Sequence, residues 1–236
     1  AAIALVAVGM LVAGFRLRER RPGYALTLQG AGVAILYLTV FAALRLYGFV
    51  SPLAAFALLV AVCALSALLA LLQDARALAV IGAVGGFATL LLVTTGQGDH
   101  VALFGYYTVL NVGILGIAWK RDWRLLNLVG FGFTFGIATF WGVLRYRPDE
   151  YASAQVFLVV FWLLYVAIAV LFAWRRAPRL TDYVDATLVF GVPLIGFGLQ
   201  AGLVRDLEYG LAWSALAVAS FYLGLPGSRF DHDTFS

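Results

Sequence analysis

The sequence predicts an all-α integral membrane protein, a polytopic helical bundle of about nine transmembrane helices arranged as repeated hairpins. Three observations lead there. Of 236 residues, 64% are hydrophobic and 12% charged, whereas a soluble domain carries roughly 45–50% apolar and about 25% charged residues. The apolar residues fall in runs of about the 20 residues that a helix needs to cross a ~30 Å hydrocarbon layer. These runs are continuously apolar, without the in-out alternation of outer-membrane strands, so helices rather than a barrel satisfy the backbone in lipid.

In chain order the runs cover about 1–15, 24–46, 52–72, 77–95, 101–119, 124–144, 153–174, 184–204 and 209–225. The first is short for a span. It has no basic flank before it and no small-residue cleavage site after it, so it reads as a helix cut from a longer protein and not as a signal peptide. The third holds the single cysteine, Cys63, which rules out an intrachain disulfide or a metal-thiolate cluster and leaves a packing role. The short connections leave almost no room for a soluble domain. Residues 1–236 are therefore read as one transmembrane domain, with 226–236 as a cytoplasmic tail.

Basic residues in alternate connections set the orientation. The loops "RLRERRPG", "QDAR", "KRDWR" and "RRAPR", with Arg229, hold 12 of the 16 Arg and Lys; Arg45, Arg145, Arg147 and Arg205 hold the other 4. The positive-inside rule places the first group in the cytoplasm of a bacterial inner membrane, with the amino end outside and the carboxyl end inside. "GQGDH" (96–100) then faces out. Because the positive charge lies in these short connections, nucleic acid is not an expected partner; membrane lipids are, together with a second copy or the rest of a longer chain.

The basic loops recur at intervals of roughly 50 residues, the mark of a repeated unit. "LTLQGAGVAILYLTVFAALR" (26–45) aligns without a gap on "LNLVGFGFTFGIATFWGVLR" (126–145), with seven of 20 positions identical. An internal repeat relating 24–119 to 123–225 follows, with matched helices running the same way about an axis along the membrane normal. The rising helix of each hairpin carries small residues four apart: Gly30 with Ala34, Gly82 with Gly86, Gly132 with Gly136 and Gly198 with Gly202. Such pairs let neighbouring backbones approach, so these helices are expected to pack inside. The returning runs "FALLVAVCALSALLALL" and "VFLVVFWLLYVAIAVLFAW" are apolar on every face, as a lipid-facing layer would be.

The wording of "RRPGYALTLQGAGVAILYLTVFAALRLYGF", "TTGQGDHVALFGYY" and "WRLLNLVGF" resembles the bacterial family of predicted membrane proteins known as domain of unknown function 2339. The resemblance runs from about residue 20 to about 224 and implies a longer multi-span protein. It brings no catalytic or ligand residue with it. Two departures stand out: the fourth run lacks the proline expected before its turn, and "LPGSRFDHDTFS" replaces an apolar continuation after Gly224.

Four groups of residues are candidates for chemistry. Asp99 and His100 form an outward acid-base pair, since imidazole titrates near neutrality and a carboxylate can hold its tautomer; the competing reading is a glycine turn capping the next helix. Arg45, Arg145 and Arg205 end three rising helices and either converge on an anion such as a lipid phosphate or snorkel separately to headgroups. Asp149 and Glu150 beside Arg147, and Asp206 and Glu208 beside Arg205, can neutralise these charges locally.

The third group is polar residues within spans: Gln29, Thr39, Asn111, Asn127, Thr134, Thr139, Asp185 and Gln200. They face protein and mostly bond between helices, with Asp185 close enough to the cytoplasmic boundary to cap its helix. The fourth is Trp141, Trp162, Trp174 and Tyr146, read as interfacial aromatics. No P-loop, dinucleotide fingerprint, zinc motif or G-x-S-x-G elbow occurs, so neither a metal nor another cofactor is expected. The function this favours is non-enzymatic: transport, lipid handling or envelope assembly. An outer-face enzyme acting on a lipid-linked substrate is the alternative, and a structural scaffold the third.

Overall fold

The computed structural model describes residues 2–93, 100–175 and 183–204, with scattered positions between 210 and 219. Asp99, Arg205, the side chain of Asp185, most of the ninth run and the 226–236 tail lie outside the described residues. Eight α-helices account for the first eight runs, each to within two residues: α1 (Ala2–Leu17), α2 (Pro22–Arg45), α3 (Pro52–Gln73), α4 (Arg76–Val93), α5 (His100–Lys120), α6 (Arg124–Leu144), α7 (Tyr151–Arg175) and α8 (Tyr183–Leu203). A 3-10 turn, Pro148–Glu150, leads into α7.

Local chemistry sets the boundaries. Proline opens α2 and α3, where a missing N–H costs nothing. The Ser51 hydroxyl caps α3 by accepting from the Ala54 amide at 3.3 Å. Asp74 closes α3 in the left-handed region (φ 52°), and the Ala75 amide donates to the Ala70 carbonyl at 2.9 Å, so the chain turns into α4 within two residues. Five helices are long and apolar enough to cross a membrane: α2, α3, α5, α6 and the stretch Pro148–Leu171. α1 and the stretches Arg76–Thr89 of α4 and Phe190–Leu203 of α8 are shorter apolar segments.

The helices lie in two rows. In one, α2 packs on α4, α4 on α6 and α6 on α8; in the other, α3 packs on α5 and α5 on α7. α1 lies along α2, and α3–α4, α5–α6 and α7–α8 contacts join the rows.

Polar side chains stitch the helices together, within the rows and between them, as they must where no water competes for them. Tyr37 donates to the Gly82 carbonyl (2.9 Å), Tyr106 to Gly86 (3.3 Å) and Tyr107 to Phe87 (3.2 Å), so three tyrosines from α2 and α5 reach the backbone of α4. The glycines of α4 make that approach feasible: a Cβ at Gly85 would sit 2.6 Å from the Tyr37 ring, and one at Gly82 would collide with Ser66. Gln29 and Gln73 exchange amide bonds of 2.9 and 2.8 Å between α2 and α3.

The innermost network centres on Asn111 of α5. Its Nδ2 donates to Thr134 Oγ1 on α6 (2.8 Å) and to the Tyr107 carbonyl (2.8 Å), while its Oδ1 accepts from Tyr165 OH on α7 (2.5 Å). Asn111 and Thr134 are fully buried, as is Tyr165. Gln200 accepts from Gln155 at 2.9 Å and ties α8 to α7. Thr39 and Thr139 instead bond back to their own helices, through the Ile35 and Phe135 carbonyls. The amide of Asn127, 1% exposed, has no hydrogen-bond partner among the described residues.

Two expectations need correction. Two of the returning helices are packed inside: α7 buries Phe161, Tyr165 and Ile168, and α5 is the most enclosed of the five spans, with 50% of its apolar window buried, whereas α3, at 28%, is the most exposed, as expected. Lipid and protein interiors are equally apolar, so an all-round apolar sequence does not say which of the two it meets. The small-residue register also shifts. Gly30, Gly82 and Gly86 lie against Ile81, Ser66 and Tyr37, but a Cβ at Gly132, Gly136, Gly198 or Gly202 would meet nothing within 4 Å among the described residues. In α6 the close approach falls at Gly130, where a Cβ would stand 2.6 Å from Ile114 Cδ1 and Tyr165 OH.

This register predicts opposite outcomes for neighbouring substitutions. Gly130→Ala overpacks the α5–α6–α7 contact and should cost about 1–3 kcal/mol. Gly132→Ala points into open space and should be neutral or gain up to about 1 kcal/mol of helix propensity. Thermal unfolding of the two variants in one detergent checks this; equal midpoints would place Gly130 away from the helix contact.

Candidate functional site

His100 opens α5 at the end of the bundle where α6 stops and α7 begins. Its Nδ1 lies 3.2 Å from Glu150 Oε1, and its Nε2 lies 2.7 Å from Ser153 Oγ. Glu150 closes the 3-10 turn, and its other oxygen, Oε2, accepts from the Arg147 backbone amide at 3.3 Å. Ser153 sits in the first turn of α7, three residues after Glu150, so the two share one face of the helix start. The imidazole is held flat: it stacks on Trp141 (5.1 Å, 30°) and meets the Phe104 ring edge-on at 6.5 Å. The His100 side chain is 13% exposed and that of Glu150 27%.

These contacts supply a bonding pattern for each state of the imidazole. A carboxylate beside Nδ1 favours the proton there, so in the neutral ring Nε2 is the acceptor and Ser153 donates to it. When the ring is protonated, Nε2–H donates to Ser153 Oγ and the hydroxyl turns to the Glu150 carbonyl, 2.9 Å away. A hydroxyl, an imidazole and a carboxylate aligned this way can move a proton off the serine oxygen and hold it.

Beside this cluster, α5, α6, α7 and α8 line a half-open cavity of about 500 Å³. Phe104, Trp141, Phe157, Phe161, Ile195 and Leu199 line it, and Gly142, Gly198 and Gly202 leave the space open. Thr139 and Tyr146 also line it, but their hydroxyls donate to the Phe135 and Leu203 carbonyls at 2.7 and 3.4 Å. The wall is thus apolar in effect. Phe104 and Trp141 belong both to the cavity wall and to the packing around His100, so the polar cluster adjoins the wall without itself lining the cavity.

Of the residues singled out in the sequence, His100 enters a site, with Glu150 and Ser153 as its partners. Asp99 lies outside the described residues. Arg45 ends α2 and Arg145 follows α6; both are exposed, and α4 lies between their helices. Arg205 is outside the described residues. Gly198 and Gly202 of α8 line the cavity. Ser153 is the residue that sequence reasoning missed, and Glu150 was noted only as a neighbour of Arg147. Their i, i+3 spacing was visible in "PDEYAS", but nothing local shows that a histidine about 50 residues earlier faces it. Among the described residues no group of three or more His, Cys, Asp or Glu side chains could hold a metal ion.

No curated protein and no solved structure matches the chain. The family described as predicted membrane protein DUF2339 matches residues 1–234, and with nearly every residue covered and five helices of membrane-spanning length, the chain belongs to that family.

Proposed function

We propose that this membrane protein handles lipids, and that the cavity between α5, α6, α7 and α8 takes up an acyl chain. The carrying observation is the cavity's chemistry: about 500 Å³ lined almost wholly by aliphatic and aromatic side chains, with Ala154 of the wall next in sequence to Ser153. Its size lies within the roughly 300–1,000 Å³ of small-molecule sites. Transport of a polar solute is less well supported, because the Thr139 and Tyr146 hydroxyls in the wall already donate to backbone carbonyls. Assembly of envelope components remains compatible with a lipid-bound protein. A scaffold role, with a second copy or the rest of a longer chain as partner, draws its support from Gly132 and Gly136, which leave a shallow exposed strip on α6.

The reading includes nine spans, a duplicated hairpin unit and a bacterial inner-membrane location, with the His100 end outside. The row order of α2, α4, α6 and α8 supports the duplication, and the distribution of Arg and Lys supports the orientation. Arg45 and Arg145, exposed at helix ends, suit phosphate headgroups individually.

Two measurements test the proposal. The purified protein should carry co-extracted acyl lipid, quantified by mass spectrometry. Gly198→Leu and Gly202→Leu fill the cavity without a backbone clash and should reduce that lipid up to roughly tenfold, the equivalent of about 1.4 kcal/mol. Gly132→Leu, outside the cavity, should not. Equal lipid content in all four proteins would refute the acyl pocket. For orientation, in a Cys63→Ser background, an impermeant maleimide should label Asp149→Cys in intact spheroplasts and Arg20→Cys only after permeabilisation; the reverse pattern inverts the topology.

A further inference from the structure

We infer that Ser153, His100 and Glu150 form a hydrolytic site for a carboxylic ester whose acyl chain lies in the cavity, an inference that rests on the acyl-pocket reading above. Three observations carry it. The distances, 2.7 Å from Ser153 Oγ to His100 Nε2 and 3.2 Å from His100 Nδ1 to Glu150 Oε1, place nucleophile, base and positioning carboxylate in hydrogen-bond sequence. A serine in the first turn of a helix needs only its own backbone for a partner, and Ser153 has one in the Glu150 carbonyl. That role needs no imidazole, yet a 13% exposed histidine from another helix is held against it with both ring nitrogens engaged.

The placement completes the argument. Phe157 follows Ser153 by four residues on α7, and Phe104 follows His100 by four on α5, so each reactive side chain stands one turn from a ring that lines the cavity. In this inference the ester carbonyl of a chain in the cavity lies toward Ala154, the wall residue that follows Ser153.

The chemistry balances with water as the only co-reactant. Ser153 Oγ forms a bond to the ester carbonyl carbon while its proton passes to His100 Nε2. The carbon–oxygen bond to the leaving alcohol then breaks, and that oxygen takes the proton from Nε2, leaving an acyl ester on Ser153. Water adds to this ester and gives a proton to Nε2; the bond to Oγ breaks, Oγ recovers the proton, and the carboxylic acid departs. Ser153 and His100 are the catalytic residues. Glu150 is a positioning residue that holds the Nδ1 proton and the ring plane.

The test uses the full chain in lipid nanodiscs, with a fluorophosphonate probe and p-nitrophenyl octanoate as reporter ester. Wild-type protein should gain one phosphonyl group, mapped by tandem mass spectrometry to Ser153, and should release nitrophenol. Ser153→Ala should lose both, and His100→Gln should slow both by about 10²–10⁴-fold. Glu150→Gln should lower kcat by roughly 10²-fold at unchanged KM, a split that mere loosening of the helix start would not give. Absence of phosphonyl at Ser153 in wild-type protein overturns the inference whether or not any variant folds, as does ester hydrolysis by Ser153→Ala at the wild-type rate. Co-extracted lipid is measured on the same samples: lipid without labelling removes the catalysis and keeps the pocket, while Ser153 labelling without lipid removes the pocket.

Discussion

The hydrogen bond between Asn111 and Tyr165 is the constraint on which the arrangement of this molecule rests. In an apolar medium, helices slide past one another with little change in buried area, because protein and lipid offer similar contacts. A buried amide that must find a donor and an acceptor ends that freedom. Asn111 spends its amide on Thr134 of α6 and its carbonyl oxygen on Tyr165 of α7, so one residue fixes three helices in both height and rotation. Gly130 lets them close on that point, since any larger residue there would meet Tyr165 and Ile114.

The same register builds the site. α5 and α7 run in the same direction, and His100 precedes Asn111 by eleven residues while Ser153 precedes Tyr165 by twelve. At about 1.5 Å per residue both lie some 17 Å above the shared hydrogen bond, which is why the imidazole and the hydroxyl meet. Trp141 and Phe104 fill the interval between that bond and the His100 end on one side, and the glycines of α6 and α8 leave the other side open as the cavity. Slipping α5 by a single turn would separate His100 from Glu150 by about 5 Å and abolish the cluster.

The α4 helix plays the corresponding part in the other half. Its glycines bring the Tyr37, Tyr106 and Tyr107 hydroxyls within reach of main-chain carbonyls, and those bonds hold α2 and α5 to the same support. A second carbonyl lone pair is a weak acceptor in water but a useful one where nothing else is on offer. Gln29 and Gln73 repeat the principle toward the basic end, so polar stitching runs the length of the bundle.

What the sequence by itself determined is the solvent and the elements. Runs such as Pro52–Gln73 and Arg124–Leu144 were legible almost to the residue, because a peptide group stripped of water must bond within its own helix and charged or turn residues end the run. The importance of Asn111, Thr134 and Gln200 between helices was legible for the same reason. Only the tertiary structure decided which faces meet. It chose Gly130 over Gly132 for the close approach, enclosed α5 where an outer row was expected, and gave His100 partners about 50 residues away along the chain. Apolar side chains mark a helix for the membrane without marking which neighbour it touches; that choice is made by the shape of glycines and by a few hydrogen bonds that close only when distant segments come together.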